Sequence, residues 1–201
     1  MGPGSSIILK DALTCAQLDL INRTVDSISD SRKGEDFWVS STRPIGGNIE
    51  SDGAPFIITH DDITFENPNY DEDELKQIYK SIGFRPEYSV DLAAMCNGDL
   101  DHKILGEITL YLAKALGGYI NFQGCIFSLK YLPWYRSSSW YFHKAEWSSI
   151  DPFFKKFIKN MPGNIYTIKY KTASEKKWAY HICDVEFLEF WLNCPEFHMI
   201  K

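Results

Sequence analysis

Near the end of the sequence, in "WAYHICD", His181, Cys183 and Asp184 fall within four residues of one another. A thiol, an imidazole and a carboxylate are the parts of a nucleophilic site, in which the imidazole takes the thiol proton and the acid orients the imidazole. If "KWAYHIC" is extended, Ala179, His181 and Cys183 share one side and Trp178, Tyr180 and Ile182 the other. The α-carbons of His181 and Cys183 are then about 6.6 Å apart, at a rise of roughly 3.3 Å per residue, so a direct hydrogen bond is not their default geometry. Asp184 has a simpler task as the cap of a following helix. A second group, His60, Asp61 and Asp62, offers metal-ligand types, but neighbours on an extended chain point to alternate sides. No HExxH motif or Cys/His pairing accompanies them. The primary expectation is no catalytic residue, no metal and no cofactor. The alternative is a small cytosolic enzyme with a His181/Cys183 thiol site or a metal near His60 and Asp62.

Other chemistry fares less well. The glycines of "GGYINFQG" follow a helical pattern and precede a strand, the reverse of a phosphate loop, whose glycines open a helix. Lys155, Lys156, Lys159, Lys169, Lys171, Lys176 and Lys177 are interleaved with acids and read as a solvated face, so no nucleic-acid partner is expected. Five cysteines without a CxxC pair read as reduced thiols. No apolar run reaches the length of a membrane span, and the first residues lack the pattern of a signal peptide, which predicts a cytoplasmic protein without a membrane partner.

Charge points instead to a protein partner. The net charge is −6, but residues 1–100 hold 18 acids and 8 bases while residues 101–201 hold 9 acids and 13 bases. Seven acids and no base lie between Asp61 and Glu74. Asp61, Asp62, Glu66, Asp71, Glu72, Asp73 and Glu74 are therefore candidate contacts for a basic partner. Aromatic residues make up 15% of the chain, and Trp134, Tyr135, Trp140 and Trp147 in "PWYRSSSWYFHKAEW" are the candidate aromatic contacts.

The elements that must position these residues alternate without regular βαβ repetition. "SIILK" reads as a strand, and Leu13, Leu20, Ile21, Val25 and Ile28 as a helical stripe with Asp11 as its cap. That helix is expected to stop in "SDSRKGED", before a strand "FWVSST" and a loop "RPIGGNIESDGAP". "FIITHDDITF" adds strand. A short helix with acids in its first turn then ends at Gly83. "EYSVDLAAM" reads as a buried strand. Leu100, Ile104, Leu105, Ile108, Leu112 and Leu116 form one stripe of a helix closed by Gly117. In "YINFQGCIF", alternation puts Ile120, Phe122 and Ile126 on one face and Asn121 and Gln123 on the other. Asp151 and Pro152 mark the start of another helix, "NIYTIKYKT" and "KWAYHIC" form a hairpin, and Val185–Leu192 a heavily buried helix. "HMIK" can return as a last strand. The order predicts a single α+β domain over 7–201, with a mixed or largely antiparallel sheet packed by several helices, behind a flexible N-terminal stretch 1–6, native or left by expression.

At "LGGYINFQG" and the closing "WAYHICDVEFLEFWLNCPEFHMIK" the chain resembles an uncharacterised bacterial family of cytosolic proteins of this length. In that family a helix ends in Gly-Gly before an Ile-x-Phe-x-Gly strand, and the chain closes with Phe-x-Met-Ile-Lys. Such proteins resemble the immunity proteins of polymorphic toxin systems. The resemblance implies a protein that neutralises a cognate toxin by stoichiometric binding, and the acidic window fits a toxin with a basic active-site groove.

Overall fold

A computed structural model describes residues 2–63, 70–127 and 146–200. In chain order its elements are β1 (Gly4–Leu9), α1 (Cys15–Ile28), β2 (Ser29–Lys33), β3 (Asp36–Ser41), a 3-10 turn (Arg43–Ile45), β4 (Glu50–Asp62), α2 (Glu72–Ile82) and β5 (Tyr88–Ala94). They are followed by α3 (Asp99–Leu116), β6 (Tyr119–Asn121), α4 (Trp147–Ile158), β7 (Ile165–Lys171), β8 (Lys177–Cys183) and α5 (Val185–Leu192). The strands form one eight-stranded sheet in the order β2-β3-β4-β5-β1-β6-β8-β7. Every pairing in it is antiparallel. The architecture is α+β with one antiparallel sheet.

Alternation along the strands divides the core into two layers. On the inner face Ile7, Phe37, Val39, Phe56, Val90, Leu92, Ile120 and Cys183 meet α1, α3, α4 and α5 through residues such as Val25, Ile108, Phe154 and Trp191. On the outer face Ile8, Ile168, Tyr180 and Ile182 meet Leu75, Ile78 and Ile82 of α2. Among the described residues α2 is the one helix on that face, and none of them covers it with a helix beyond β1 toward β4.

Local chemistry explains most of the boundaries. Asp71 caps α2 by accepting from the Glu74 N–H at 2.8 Å, Glu74 Oε2 accepts back from the Asp71 N–H at 3.0 Å, and Gly83 closes the helix at φ +85°. Asp184 caps α5 by accepting from the Phe187 N–H at 2.9 Å. Gly117 ends α3 at φ +73°, and a side chain on the next residue, Gly118, would meet Ile7 Cγ2 at 2.5 Å. The Gly-Gly pair is therefore needed both for the turn and for the close passage of the chain over β1.

Four boundaries differ from the sequence reading. α1 is capped by Thr14 in a reciprocal pair with Gln17, not by Asp11. "SDSRK", read as the stop of that helix, is β2, an edge strand with four exposed residues in five; such a strand shows no apolar alternation. Part of the loop "RPIGGNIESDGAP" belongs to β4, where a register shift between Val39 and Ser41 accommodates Gly53 while Pro55 stays in register opposite Trp38. α4 begins one turn before Asp151, because Trp147, Ile150 and Phe154 form the buried stripe; Pro152 lies inside it. The flexible stretch 1–6 is also corrected: residues 4–6 are part of β1, between β5 and β6 at the middle of the sheet. The last segment contributes a single bridge, Gly4 to Ile200, instead of a strand.

Candidate functional site

The helix-free part of the outer face is polar because of strand register. On β5 the residues that turn outward are Ser89 and Asp91; on β4 they are Thr59 and Asp61; on β1 it is Ser6 and on β6 Asn121. Pairing aligns them. Thr59 lies opposite Asp91, Asp91 opposite Ser6, and Ser6 opposite Asn121, so four polar residues form one row across four strands. Asp61 lies opposite Ser89 in the next row.

Asp91 is the hub of this row. Its Oδ1 accepts from the Ser6 hydroxyl, and its Oδ2 accepts from the Ser89 hydroxyl at 2.8 Å. Gln123 closes back over the row: its Nε2 donates to Ser6 Oγ at 2.6 Å and to Asp91 Oδ1 at 3.4 Å. That return needs an unusual backbone. Gln123 has φ +56°, and its N–H donates to Asn121 Oδ1 at 2.8 Å. Asn121 Nδ2 in turn donates to the Tyr70 hydroxyl at 2.9 Å. Ser6, Ser89 and Asn121 are all buried, so the network fixes the carboxylate in place.

The row forms the floor of a cleft of about 790 Å³ between the sheet and α2. Four carboxylates line it, from Glu35, Asp61, Glu74 and Asp91, and no Lys or Arg does among the described residues. Tyr70, Tyr170 and Tyr180 form its aromatic side, with the Tyr70 and Tyr180 ring centres 6.3 Å apart and those of Tyr170 and Tyr180 5.9 Å apart. Burial raises the Tyr70 hydroxyl to about 12, with Asp91 and Glu74 adding to the rise against the Asn121 hydrogen bond. Tyr180 is raised further by burial and by the Tyr70 and Glu74 groups beside it. Its hydroxyl is sealed from solvent beside the Glu74 carboxylate. Burial raises the Glu74 carboxyl as well, against the hydrogen bonds from the Asp71 N–H and the Tyr180 hydroxyl.

The residues singled out by sequence fall elsewhere or only at the rim. His181 and Cys183 do share one face of β8, but that face is core: both are fully buried. His181 stacks on Phe154 at 4.1 Å and meets Trp147 edge-on at 5.3 Å. Its Nδ1 accepts from the Ile126 N–H at 3.3 Å. Desolvation lowers the imidazole to about 3 and pushes the Cys183 thiol well above its usual value. A base that resists protonation beside a thiol that resists ionisation, both without access to solvent, is the opposite of an activated nucleophile. The thiol alternative is corrected to a core assignment. Asp184 is a cap that also accepts from the Asn164 backbone and side chain at 2.9 and 2.7 Å.

His60 turns to Tyr88, with 2.9 Å between Nδ1 and the hydroxyl. Among the described residues no group of three or more His, Cys, Asp or Glu side chains is arranged to hold a metal ion. Asp61 is the one of the three that enters the cleft as a carboxylate of the polar row's own face. In α2, Asp71 and Glu74 are engaged in the cap, while Glu72 pairs with Arg85 at 3.2 Å and Asp73 with Lys76 at 3.3 Å. The acidic window is thus less uncompensated in space than along the chain. Trp147, expected on a contact surface, is 2% exposed and belongs to the core against Phe154 and His181. Glu66, Trp134, Tyr135 and Trp140 lie outside the described residues.

Sequence reasoning did not find the cleft. Its signal was present in part, since Asn121 and Gln123 were assigned to the face opposite Ile120, and a polar residue inside an apolar strand, as Asp91 is in "YSVDLAA", marks a face that is not ordinary core. A family of unknown function (DUF6368) matches the whole chain, residues 1–201. No curated protein and no solved structure matches it.

Proposed function

We propose that this chain, which belongs to the DUF6368 family, neutralises a bacterial toxin by stoichiometric binding, with the outer face of its sheet as the docking surface. The observation that carries the reading is the cleft lined by four carboxylates and no Lys or Arg among the described residues. A cleft with one sign of charge focuses the field outward and attracts a basic partner. Asp62, at the end of β4, and Glu72 and Asp73, in the first turn of α2, are exposed and lie within two residues of the cleft carboxylates Asp61 and Glu74, close enough to add to the long-range field. A toxin with a cationic substrate groove is the partner such a surface fits.

The test is association kinetics with a cognate toxin, sought among the products of the genes next to this one. Asp62, Glu72 and Asp73 are replaced by Lys together, leaving Asp71 and Glu74 to cap α2. Association is expected to slow by about tenfold or more at low salt and much less at high salt, because screening removes long-range attraction. Rates unchanged at both salt concentrations would remove this face as the docking surface. Cys183→Ala should protect cells as well as the wild type does, since Cys183 lies in the core. Loss of protection by a folded Cys183→Ala protein would restore the thiol reading.

A further inference from the structure

We infer that residues 198–200 are a latch between α3 and β1 that acid opens through His102. The device is independent of what docks on the outer face of the sheet.

Three consecutive residues of this segment each give one backbone group to a different element. The His198 carbonyl accepts from Trp191 Nε1 of α5 at 3.2 Å, the Met199 N–H donates to His102 Nδ1 of α3 at 3.0 Å, and the Ile200 carbonyl accepts from the Gly4 N–H of β1 at 2.9 Å. Met199 itself is 1% exposed. The seat of the segment is shaped by two glycines: a side chain at Gly106, one turn along α3 from His102, would meet Phe197 Cζ at 2.7 Å, and one at Gly124 would overlap Ile200 Cγ2. Of the three backbone contacts, only the middle one is made by a group that titrates.

His102 is partly exposed, so a proton reaches it without prior opening of the fold. A neutral imidazole nitrogen accepts a hydrogen bond, and a protonated one donates. Protonation therefore sets two N–H donors against each other, at Nδ1 and at Met199, and leaves the Met199 N–H without an acceptor. The titratable groups that face the ring are His198 on the segment and Asp99 and Asp101 on its own helix. Asp101 is engaged by the Gly98 N–H at 2.7 Å. The α5 acid that reaches α3, Glu189, pairs with Lys114 at 2.9 Å, about three turns away along the helix. Once His198 is charged as well, the two imidazolium rings repel, and the segment and the helix are pushed apart. In the closed form, burial and the His198 imidazole hold the His102 ring below its ordinary value. Release returns it toward about 6.5. Opening thus takes up a proton and becomes easier as pH falls below that value, until the closed form is itself protonated.

The test is backbone amide exchange of the whole chain, followed by NMR from about pH 7.5 to about pH 4.5 alongside the titration of the His102 ring. The Met199 and Gly4 amides are expected to lose about tenfold in protection, the equivalent of one hydrogen bond, with a midpoint that coincides with that of the ring. His102→Asn, which keeps an acceptor near the Nδ1 position but cannot titrate, should show no such step. Core amides such as those of Val90 and Ile108 should follow one course in both proteins, since any effect of His181 on the whole fold is common to the two. A Met199 step that is missing from the wild type, displaced from the His102 midpoint, or unchanged in His102→Asn would each overturn the latch. Removal of the step together with an equal change at Val90 and Ile108 would assign His102 to global stability and overturn it too. If the variant fails to fold, the agreement or disagreement of the two wild-type midpoints decides.

Discussion

Trp191→Ala is expected to destabilise the fold by about 3–5 kcal/mol, the range for deleting a large aromatic side chain from a packed core. Trp191 is fully buried. Its ring centre lies 5.9 Å from that of Phe157, 6.2 Å from Phe197 and 5.8 Å from His198, so α4, α5 and the final segment all lose a neighbour. Its Nε1–H also donates to the His198 carbonyl at 3.2 Å. That bond helps to hold the segment in which Met199 N–H donates to His102 Nδ1 at 3.0 Å and Ile200 bridges to Gly4 of β1. For a domain of this size the loss corresponds to a fall in melting temperature of roughly 6–20 °C. Trp191→Phe, which keeps most of the volume and loses the donor, should cost clearly less. A melting curve for Trp191→Ala that superimposes on the wild type would show that the side chain is not packed as described.

The same helix shows what the sequence makes legible. Asp184 followed by an apolar run announces a capped, buried helix, and Phe187, Leu188 and Trp191 are buried as expected. Val185, Phe187, Leu188, Phe190, Trp191 and Leu192 sweep one broad apolar arc, yet Phe190 is 38% exposed. The arc spans more of the circumference than one neighbouring layer covers, so one edge of it meets water. α3 is legible for the complementary reason: its stripe and its Gly117 cap are both local signals that agree. β2 is not legible, since an exposed edge strand needs charge more than alternation. The cleft is still less so. Ser6 and Asp91 are 85 residues apart and Gln123 and Ser6 are 117 apart, and only strand register, which is set by long-range pairing, brings them into one row. The His-Cys pair marks the limit of alternation as a signal. Alternation placed both on one face of β8, but which face of a fully buried strand meets solvent is decided by the helices above it, and α4 and α5 lie over that one.

Acidification is expected to destabilise the protein through His181 well before its carboxylates are titrated. The imidazole is fully buried between Phe154 and Trp147, and desolvation lowers it to about 3, against weaker opposing effects from its backbone contact and from Asp151. In the unfolded chain it takes up a proton below about 6.5. Between these values the unfolded state binds one proton more than the native state, so stability falls as pH falls. The contribution is fully present above about pH 6.5. About 2 kcal/mol of it is lost by pH 5 and about 3 kcal/mol by pH 4, at roughly 1.4 kcal/mol per unit. Nδ1 accepts from the Ile126 N–H and Nε2 is a buried atom without a hydrogen-bond partner, so a second proton would find no acceptor there. The check is urea unfolding from pH 7 to pH 4 for the wild type and for His181→Asn, which keeps an acceptor for the Ile126 N–H but cannot titrate. The variant should be less stable at pH 7, through lost packing on Phe154, and should show the shallower dependence on pH. Parallel slopes for the two proteins, or a His181 ring that titrates near 6.5 by NMR, would place the imidazole in contact with water and reopen the question of what it does there.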